Sequence, residues 1–329
     1  MKIAFFEVQD WEEEFLEYFK KEFKDNFFFT KEKLNSFNAD NFKDFEIVSV
    51  FIYSNLNKEC LEKLSSLKFI ATRSTGFDHI DTKECKRRKI YVSNVPSYGE
   101  KSVAEFTFAL ILSFYKKILE ATSRTKEGDF SINGLMSRDL NEKTLGILGT
   151  GKIGTHVAKI AKAFGMKVLA YDIKKNLKGV KYVSLNELLS KSDIISLHLP
   201  LNERTKHIIN KENISIIKRG ALIVNTARGG LIETRALLEG IEKEIISGAL
   251  LDVLEEEPLI REESQIIDKD FNKKELSSLL FNHILLNKKN IFITPHCAFY
   301  SKEAIKKIEE TTLINIKRFL AKKPVNLIR

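Results

Sequence analysis

One segment, residues 144–172, constrains the fold of this chain more than any other. An apolar run there leads into Gly149, Gly151 and Gly154, a G-x-G-x-x-G pattern that an amphipathic helix pattern follows. A second apolar run ends in Asp172, at about the 20-residue spacing of a ribose-binding carboxylate. Strand, glycine turn, helix, strand and acid together predict a dinucleotide-binding βαβ unit with the pyrophosphate at the helix N-terminus.

The acid at position 172 also predicts which dinucleotide binds. Asp172 can accept hydrogen bonds from both ribose hydroxyls and would repel a 2′-phosphate, so NAD is expected in preference to NADP. Lys174 and Lys175 could screen part of this repulsion. The expected cofactor is therefore NAD.

Length and composition narrow the class of protein. At 329 residues, two domains are expected rather than one core. No apolar run reaches membrane-spanning length and no signal-peptide pattern opens the chain. Cys60, Cys85 and Cys297 are too few and too widely spaced for a disulfide framework or a zinc site. These features predict a cytoplasmic protein with no metal and no membrane partner.

The net charge of +9 raises nucleic acid as a possible partner. The lysines, however, are interleaved with glutamates on predicted helices such as residues 12–24 and 302–310. No zinc-finger or RNA-binding signature accompanies them. A solvated Lys/Glu surface explains this charge better, and no nucleic-acid partner is expected.

Strand and helix patterns alternate along almost the whole chain, which predicts an α/β fold with parallel sheets. We expect two doubly wound, Rossmann-like domains with an interdomain cleft for a small ligand. The predicted strands are 2–6, 47–53, 69–74 and 90–93, then 145–148, 168–171, 194–197, 222–225, 248–252 and 291–294. The predicted helices include 11–23, 58–64, 82–88, 103–121 and 302–320.

The domain boundaries follow from these elements. Residues 1–98 plus 299–329 are expected to form a flavodoxin-like substrate-binding domain, which lacks a glycine-rich turn. Residues 99–298 are expected to form the NAD-binding Rossmann domain. The helix at 103–121 would join the two, and its aromatic surface could pack in the core or form a dimer contact. Residues 259–289 are predicted to be an added helical hairpin that covers the sheet edge or gates the cleft.

Three predicted strand ends carry residues suited to one chemistry. Arg228, Glu257 and His296 each follow a separate apolar run, and ligands of open α/β sheets bind at the carboxyl ends of strands. Arginine can grip a carboxylate and polarise the neighbouring carbonyl through its fork of donors. Histidine can transfer a proton near neutral pH, and a glutamate beside it would favour the protonated imidazole. The trio predicts hydride transfer between a nicotinamide and a 2-oxo acid.

In these motifs the chain resembles the D-isomer-specific 2-hydroxyacid dehydrogenases, over essentially its whole length. The resemblance is carried by residues 74–81, 95–98, 103–105, 148–154 and 198–201. It implies that Arg228, Glu257 and His296 are the catalytic residues. The residues it assigns to the cofactor are Val103, Gly149, Gly151, Lys152, Ile153, Gly154, Asp172, His198, Pro200, Thr205, Thr226, Ala227 and Asp252.

The D-lactate dehydrogenase-like branch of the family is the most similar. The resemblance implies that the backbone around Thr75 and Gly76 binds the substrate carboxylate. It also implies that Tyr98 and Tyr300 face the substrate, and that Tyr53 lines the same pocket or packs between the domains.

The implied function is reversible, NAD-dependent interconversion of a small 2-oxo acid and its D-2-hydroxy acid, in a homodimer. Pyruvate and D-lactate are the first choice of pair, with hydroxypyruvate, glyoxylate and longer 2-oxo acids open. One alternative is a dinucleotide-sensing, corepressor-like interaction protein of the same fold. Another is a dehydrogenase of formate or a phosphorus oxyanion, against which the aromatic Tyr98 and Tyr300 argue.

Overall fold

The computed structural model of the protein describes residues 1–255 and 273–328, without the side chains of residues 25 and 273–279. The chain divides into two compact units. Unit 1 contains Met1–Tyr98 and Ser301–Arg329, and unit 2 contains Gly99–Tyr300. Among the described residues, no helix combines the length and the apolar character that crossing a bilayer requires.

Unit 1 is built on a five-stranded parallel sheet with the order β2-β1-β3-β4-β5. Its strands are β1 Ile3–Phe5, β2 Phe27–Phe29, β3 Ile47–Val50, β4 Phe69–Thr72 and β5 Tyr91–Ser93. Its helices are α1 Glu13–Phe23, α2 Lys58–Lys63, α3 Thr82–Arg87 and, from the end of the chain, α10 Lys302–Leu320. This strand order is the flavodoxin-like one.

Helices cover both faces of this sheet, and as a result β3 and β4 bury every one of their side chains. On one face, α1 buries Leu16 and Phe19. On α10, Phe319 stacks on Phe69 of β4 with ring centroids 4.3 Å apart. The C-terminal helix is thus part of the core that holds β4, and with it the loop that follows β4.

Unit 2 is built on a seven-stranded parallel sheet with the order β12-β11-β10-β9-β6-β7-β8. Its strands are β6 Thr144–Leu148, β7 Lys167–Tyr171, β8 Lys181–Tyr182, β9 Ile194–Leu197, β10 Ala221–Asn225, β11 Ile246–Leu251 and β12 Ile291–Ile293. Its helices are α4 Glu100–Tyr115, α5 Ile118–Lys126, α6 Lys152–Ala163, α7 Leu185–Lys191, α8 Thr234–Glu242 and α9 Lys273–Leu286. Read from β8 to β12, the strand order is that of a dinucleotide-binding fold with one extra strand. The first three strands are added towards one edge of the sheet and the later strands towards the other, so the strand order reverses between β6 and β9.

The predicted α/β class with two doubly wound parallel sheets is therefore confirmed, but several elements differ from prediction. The single helix predicted over 103–121 is wrong, because α4 ends at Tyr115 and α5 begins at Ile118. Lys117 between them has a left-handed backbone, with φ of 53°, which an uninterrupted helix does not allow. α4 buries much of its surface and α5 buries no residue, so the change in burial coincides with the break.

Two strands escaped prediction, and two predicted strands are shorter than expected. β2 has three residues and β8 has two, too few to display an alternating pattern. β3 ends at Val50, although apolar residues continue after it, and β4 ends at Thr72, directly before Arg73. Of the predicted hairpin at 259–289, α9 covers the later part, and residues 256–272 lie outside the described residues.

Candidate functional site

The glycine turn after β6 leaves open space beside one of its residues, Gly151. Gly149 has φ of +98°, and a Cβ there would lie 2.6 Å from the carbonyl oxygen of His198. A Cβ on Gly154 would lie 2.0 Å from the carbonyl oxygen of Gly149, so α6 can pack this closely on the turn only with glycine. Around Gly151, by contrast, no atom lies within 4 Å of an added Cβ. This opening stands at the N-terminus of α6, where an anion is favoured.

Asp172 is fixed next to this turn at the end of β7. One carboxylate oxygen accepts hydrogen bonds from the backbone N–H of Thr150, at 2.6 Å, and from its hydroxyl, at 3.1 Å. The other oxygen accepts from the backbone N–H of Lys174 at 2.9 Å. The carboxylate is thereby held beside the glycine turn, where a ribose would follow a pyrophosphate bound at α6.

The remaining residues around the turn are held by unit 2 itself. Lys152 lies 3.3 Å from the carboxylate of Glu100, and Ile153 packs against the hydrophobic core. Val103 is buried on α4, and the hydroxyl of Thr226 lies 3.0 Å from that of Thr107 on the same helix. The start of α4 is therefore tied to the loop after β10.

The loop after β9 faces Gly149 across the reversal point of the sheet. The Nε2 atom of His198 lies 2.8 Å from the Ser196 hydroxyl, and its Nδ1 atom has no hydrogen-bond partner among the described residues. Burial lowers the pKa of His198 to about 3, so this imidazole is neutral at physiological pH. The Thr205 hydroxyl donates to the carbonyl oxygen of Pro200 at 2.6 Å and closes the loop.

Arg228 follows β10 in a loop that is held by hydrogen bonds with Asn225 and by close packing against the segment after β11. The Asn225 side chain donates to the carbonyl oxygen of Arg228 and accepts from the backbone N–H of Ala227. The guanidinium of Arg228 donates to the carbonyl oxygen of Ala227 at 2.8 Å. A Cβ on Gly229 would lie 1.9 Å from the carbonyl oxygen of Leu254, so this loop is pressed against the segment after β11.

His296 lies in a loop after β12 that Asp252 organises from the end of β11. The buried Asp252 carboxylate accepts hydrogen bonds from the Thr294 hydroxyl at 2.6 Å, and from the backbone N–H groups of Cys297 and Ala298 at 2.9 Å. Burial raises the pKa of Asp252, and these hydrogen bonds and His296 offset the rise only in part. His296 has φ of 55°, a backbone conformation that non-glycine residues adopt mainly where the surroundings enforce it.

The sheet brings these groups to one edge. β10, β11 and β12 are adjacent and parallel, so Arg228, Asp252 and His296 all follow carboxyl ends at the same edge of the sheet. Gly149 and Asp172 follow the ends of β6 and β7 at that same edge. An anion-binding turn, a carboxylate, a guanidinium and an imidazole along one edge suit hydride exchange between a dinucleotide and a carboxylic acid.

Comparison with known proteins decides the family. Residues 108–298 match the model of the D-isomer specific 2-hydroxyacid dehydrogenase, NAD binding domain. The chain is 37% identical to "2-hydroxyacid dehydrogenase homolog 1" of Schizosaccharomyces pombe, over 97% of this chain and 96% of that protein. The chain belongs to the D-isomer-specific 2-hydroxyacid dehydrogenase family.

Two further relatives bear on the chemistry. The crystal structure of D-lactate dehydrogenase from Aquifex aeolicus, complexed with NAD and lactic acid, superposes with a TM-score of 0.88 at 38% identity, covering 98% of this chain and 96% of that one. An aromatic 2-oxoacid reductase of Clostridium sporogenes is 38% identical over 84% of this chain and 83% of that protein. The chain is thus a D-lactate dehydrogenase-like, NAD-dependent oxidoreductase that interconverts a 2-oxo acid and its D-2-hydroxy acid.

The geometry of unit 2 fits NAD. The opening at Gly151 gives a pyrophosphate access to backbone N–H groups, and Asp172 is placed for the ribose hydroxyls. Of the predicted catalytic trio of this 2-hydroxyacid dehydrogenase, Arg228 and His296 stand at one sheet edge, and Glu257 lies outside the described residues.

The predicted substrate residues belong mainly to unit 1. Thr75 and Gly76 follow β4, where the Thr75 hydroxyl donates to the carbonyl oxygen of Val95 and the Ser74 hydroxyl donates to that of Gly76. Among the described residues, no acceptor takes a hydrogen bond from the backbone N–H of Thr75 or Gly76. Tyr53 follows β3 and Tyr98 ends the first segment of unit 1, whereas Tyr300 ends unit 2 and is exposed.

A hydrogen-bonded histidine–glutamate pair beside the predicted catalytic segment was not predicted from the sequence. The Nε2 atom of His207 lies 2.6 Å from one oxygen of Glu255, whose other oxygen accepts from the N–H and hydroxyl of Thr234. Burial pushes the pKa of Glu255 up, but the hydrogen bonds from His207 and Thr234 outweigh it and hold that pKa below its usual range. The run of three glutamates, 255–257, does not reveal that Glu255 pairs with a histidine 48 residues earlier in the chain.

Proposed function

We propose that this enzyme reduces pyruvate to D-lactate with NADH, and runs the reverse reaction with NAD. The observation that carries the proposal is the single sheet edge at which Arg228, His296 and the glycine turn stand. The similarity to a D-lactate dehydrogenase solved with lactic acid supports the choice of pyruvate over other 2-oxo acids.

In this mechanism, bound NADH supplies the hydride for C2 of the 2-oxo acid. Arg228 binds the carboxylate and polarises the carbonyl through its two-pronged donor geometry. His296 donates the proton to the carbonyl oxygen, and Glu257 favours the charged imidazole. Asp252 holds the loop that carries His296, so the imidazole is placed before substrate arrives.

In this proposal, residues of unit 1 also bind the substrate. The backbone N–H groups of Thr75 and Gly76 bind the substrate carboxylate, and Tyr53, Tyr98 and Tyr300 line its pocket. Two features support this assignment: these N–H groups have no acceptor among the described residues, and neighbouring side chains fix the loop. In this scheme unit 1 is the substrate-binding domain and unit 2 the NAD-binding domain.

The test is NADH oxidation across a panel of 2-oxo acids. We expect the highest kcat/KM with pyruvate, lower values with hydroxypyruvate, glyoxylate, 4-methyl-2-oxopentanoate and phenylpyruvate, and D-lactate as the product on chiral chromatography. A higher kcat/KM with phenylpyruvate would support the proposed reaction but would show that pyruvate is not the preferred substrate. Tight NADH binding with negligible turnover on every acid would favour a dinucleotide-sensing interaction protein instead.

The enzyme is further proposed to act as a cytoplasmic homodimer. Unit 2 exposes a group of large apolar side chains on α5 and the segment that follows it: Ile118, Leu119, Phe130, Ile132 and Met136. Phe130, Ile132 and Met136 are each at least 80% exposed. Large exposed apolar side chains concentrated in one segment are typical of a surface that another copy of the chain covers.

A further inference from the structure

The turn after β3, which carries Tyr53, is held by one buried carboxylate from another strand. Glu7 follows β1, and one of its oxygens accepts hydrogen bonds from the backbone N–H groups of Phe51, at 3.0 Å, and Ser54, at 2.9 Å. The same oxygen accepts from the Ser54 hydroxyl, and the other oxygen accepts from the backbone N–H of Tyr53 at 2.7 Å. Four donors from residues 51–54 therefore converge on a single side chain that is 3% exposed.

Glu7 is in turn anchored by Arg73, which is fully buried. The guanidinium of Arg73 donates to the backbone carbonyl oxygens of Phe6, at 2.7 Å, and Glu7, at 3.2 Å. It also forms an ion pair with the buried Glu12 at 2.8 Å. Arg73 immediately precedes the loop of Ser74, Thr75 and Gly76, so one buried cation connects this loop to Glu7.

From this arrangement we infer that Glu7 is a positioning residue for substrate. Its carboxylate sets the segment 51–54, and thus Tyr53, and Arg73 connects Glu7 to the carboxylate-binding loop 74–76. The inference rests on the proposed function of that loop. A carboxylate suits this position because its two oxygens can accept all four hydrogen bonds, whereas an amide would turn a donor towards one of the N–H groups.

The two loops have different partners for their backbone N–H groups. Those of Phe51, Tyr53 and Ser54 donate to Glu7 and cannot bind substrate. Those of Thr75 and Gly76 have no acceptor among the described residues. Three N–H groups of the segment 51–54 are therefore used within unit 1, and Glu7 determines where the side chain of Tyr53 stands.

The test compares Glu7→Gln with the parent enzyme and with Glu13→Gln, an exposed glutamate of the same unit. We expect Glu7→Gln to raise the KM of the preferred 2-oxo acid about tenfold, because an amide donor facing one of the N–H groups would displace the segment 51–54 and Tyr53 with it. The inhibition constant of oxamate, a non-reactive pyruvate analogue, should rise in parallel. The dissociation constant of NADH, followed by fluorescence, should stay at the parent value, and Glu13→Gln should leave all three unchanged.

The inference would be overturned if Glu7→Gln lowered kcat and NADH affinity to the same extent. It would also be overturned if Glu7→Gln left both the KM of the 2-oxo acid and the inhibition constant of oxamate at the parent values. If Glu7→Gln does not fold, Ser54→Ala keeps the carboxylate and removes one donor. Its KM should rise about two- to threefold, and an unchanged KM there would also overturn the inference. A parent enzyme that turns over no 2-oxo acid would contradict the proposed function, whereas turnover with unaltered KM in the variants would reject only the role of Glu7.

Discussion

At the scale of single residues, His296 and Asp252 show how chemistry depends on backbone geometry. His296 stands in a left-handed conformation, and Asp252 accepts three hydrogen bonds from the loop around it. The hydrogen bonds that the structure gives the Asp252 side chain come from this loop, and they support a role in positioning His296. Its place in the cofactor site stays a prediction.

Replacing His296 should therefore affect the chemical step alone. We expect His296→Ala to lower kcat about 10²–10⁴-fold, the usual contribution of a positioned acid–base group. The dissociation constant of NADH should change little, because the glycine turn and Asp172 stay intact. Stopped-flow NADH oxidation and fluorescence titration measure the two quantities, with His283→Ala as control. Turnover within about threefold of the parent would make His296 a structural residue.

At the scale of elements, the approach of α6 to β6 depends on two glycines for different reasons. An added Cβ on Gly154 would collide with the turn, whereas one on Gly151 would enter open space. Stability and cofactor affinity should therefore separate in the two variants.

We expect Gly154→Ala to lower the melting temperature, with an overpacking cost of about 1–3 kcal/mol, and to weaken NADH binding. Gly151→Ala should keep the parental melting temperature and still weaken NADH binding, because its methyl group would occupy the space that the pyrophosphate needs. Scanning calorimetry and fluorescence titration distinguish the two effects. The same loss of stability in both variants would mean that the opening at Gly151 is not a ligand space.

At the scale of the whole molecule, the exposed apolar group of unit 2 predicts the oligomeric state. A glutamate at position 132 would place a charge in a desolvated interface, so Ile132→Glu should shift a dimer towards monomer. Light scattering after size exclusion reports the mass. Ile173→Glu, at an equally exposed isoleucine elsewhere in unit 2, should leave the mass unchanged. Dimeric Ile132→Glu would place the interface elsewhere.

The stability of unit 1 should depend on pH through Glu309 of α10. Burial, together with Glu12, Glu14 and Glu310, raises the pKa of Glu309 to about 7, above its ordinary 4.5. The folded state therefore binds this proton more tightly than the unfolded state does. The cost of ionising Glu309 is absent below pH 4.5, grows between pH 4.5 and 7, and is complete above pH 7.

Glu309→Gln removes this cost. We expect a higher melting temperature than the parent at pH 8, from about 1–2 kcal/mol after allowance for solvent screening. The difference should shrink towards zero as the pH approaches 4.5. Glu303→Gln, at an exposed position of the same helix, is the control. A difference that is the same at pH 8 and pH 5 would show that Glu309 does not carry the pH dependence.

Features whose residues are contiguous follow from the order of amino acids alone. The glycine turn, Asp172 and the α/β alternation are local patterns, and each strand end shows which residue follows it. Arg228 and His296 could be predicted to share one edge of the sheet, because parallel strands bring their carboxyl ends together whatever the details of packing. The place of Glu257 and the catalytic roles of all three residues stay predictions.

Which polar groups hold these segments in place depends on contacts between residues that are far apart in the chain. The N–H groups that donate hydrogen bonds to Glu7 are 44–47 residues away from it in the chain, and the donors to Asp252 are 42–46 residues away. Burying a charge is favourable only when such distant donors converge on it, and hydrophobic periodicity does not encode that convergence. The break between α4 and α5 was likewise decided by where burial ends, because the apolar pattern continues through it.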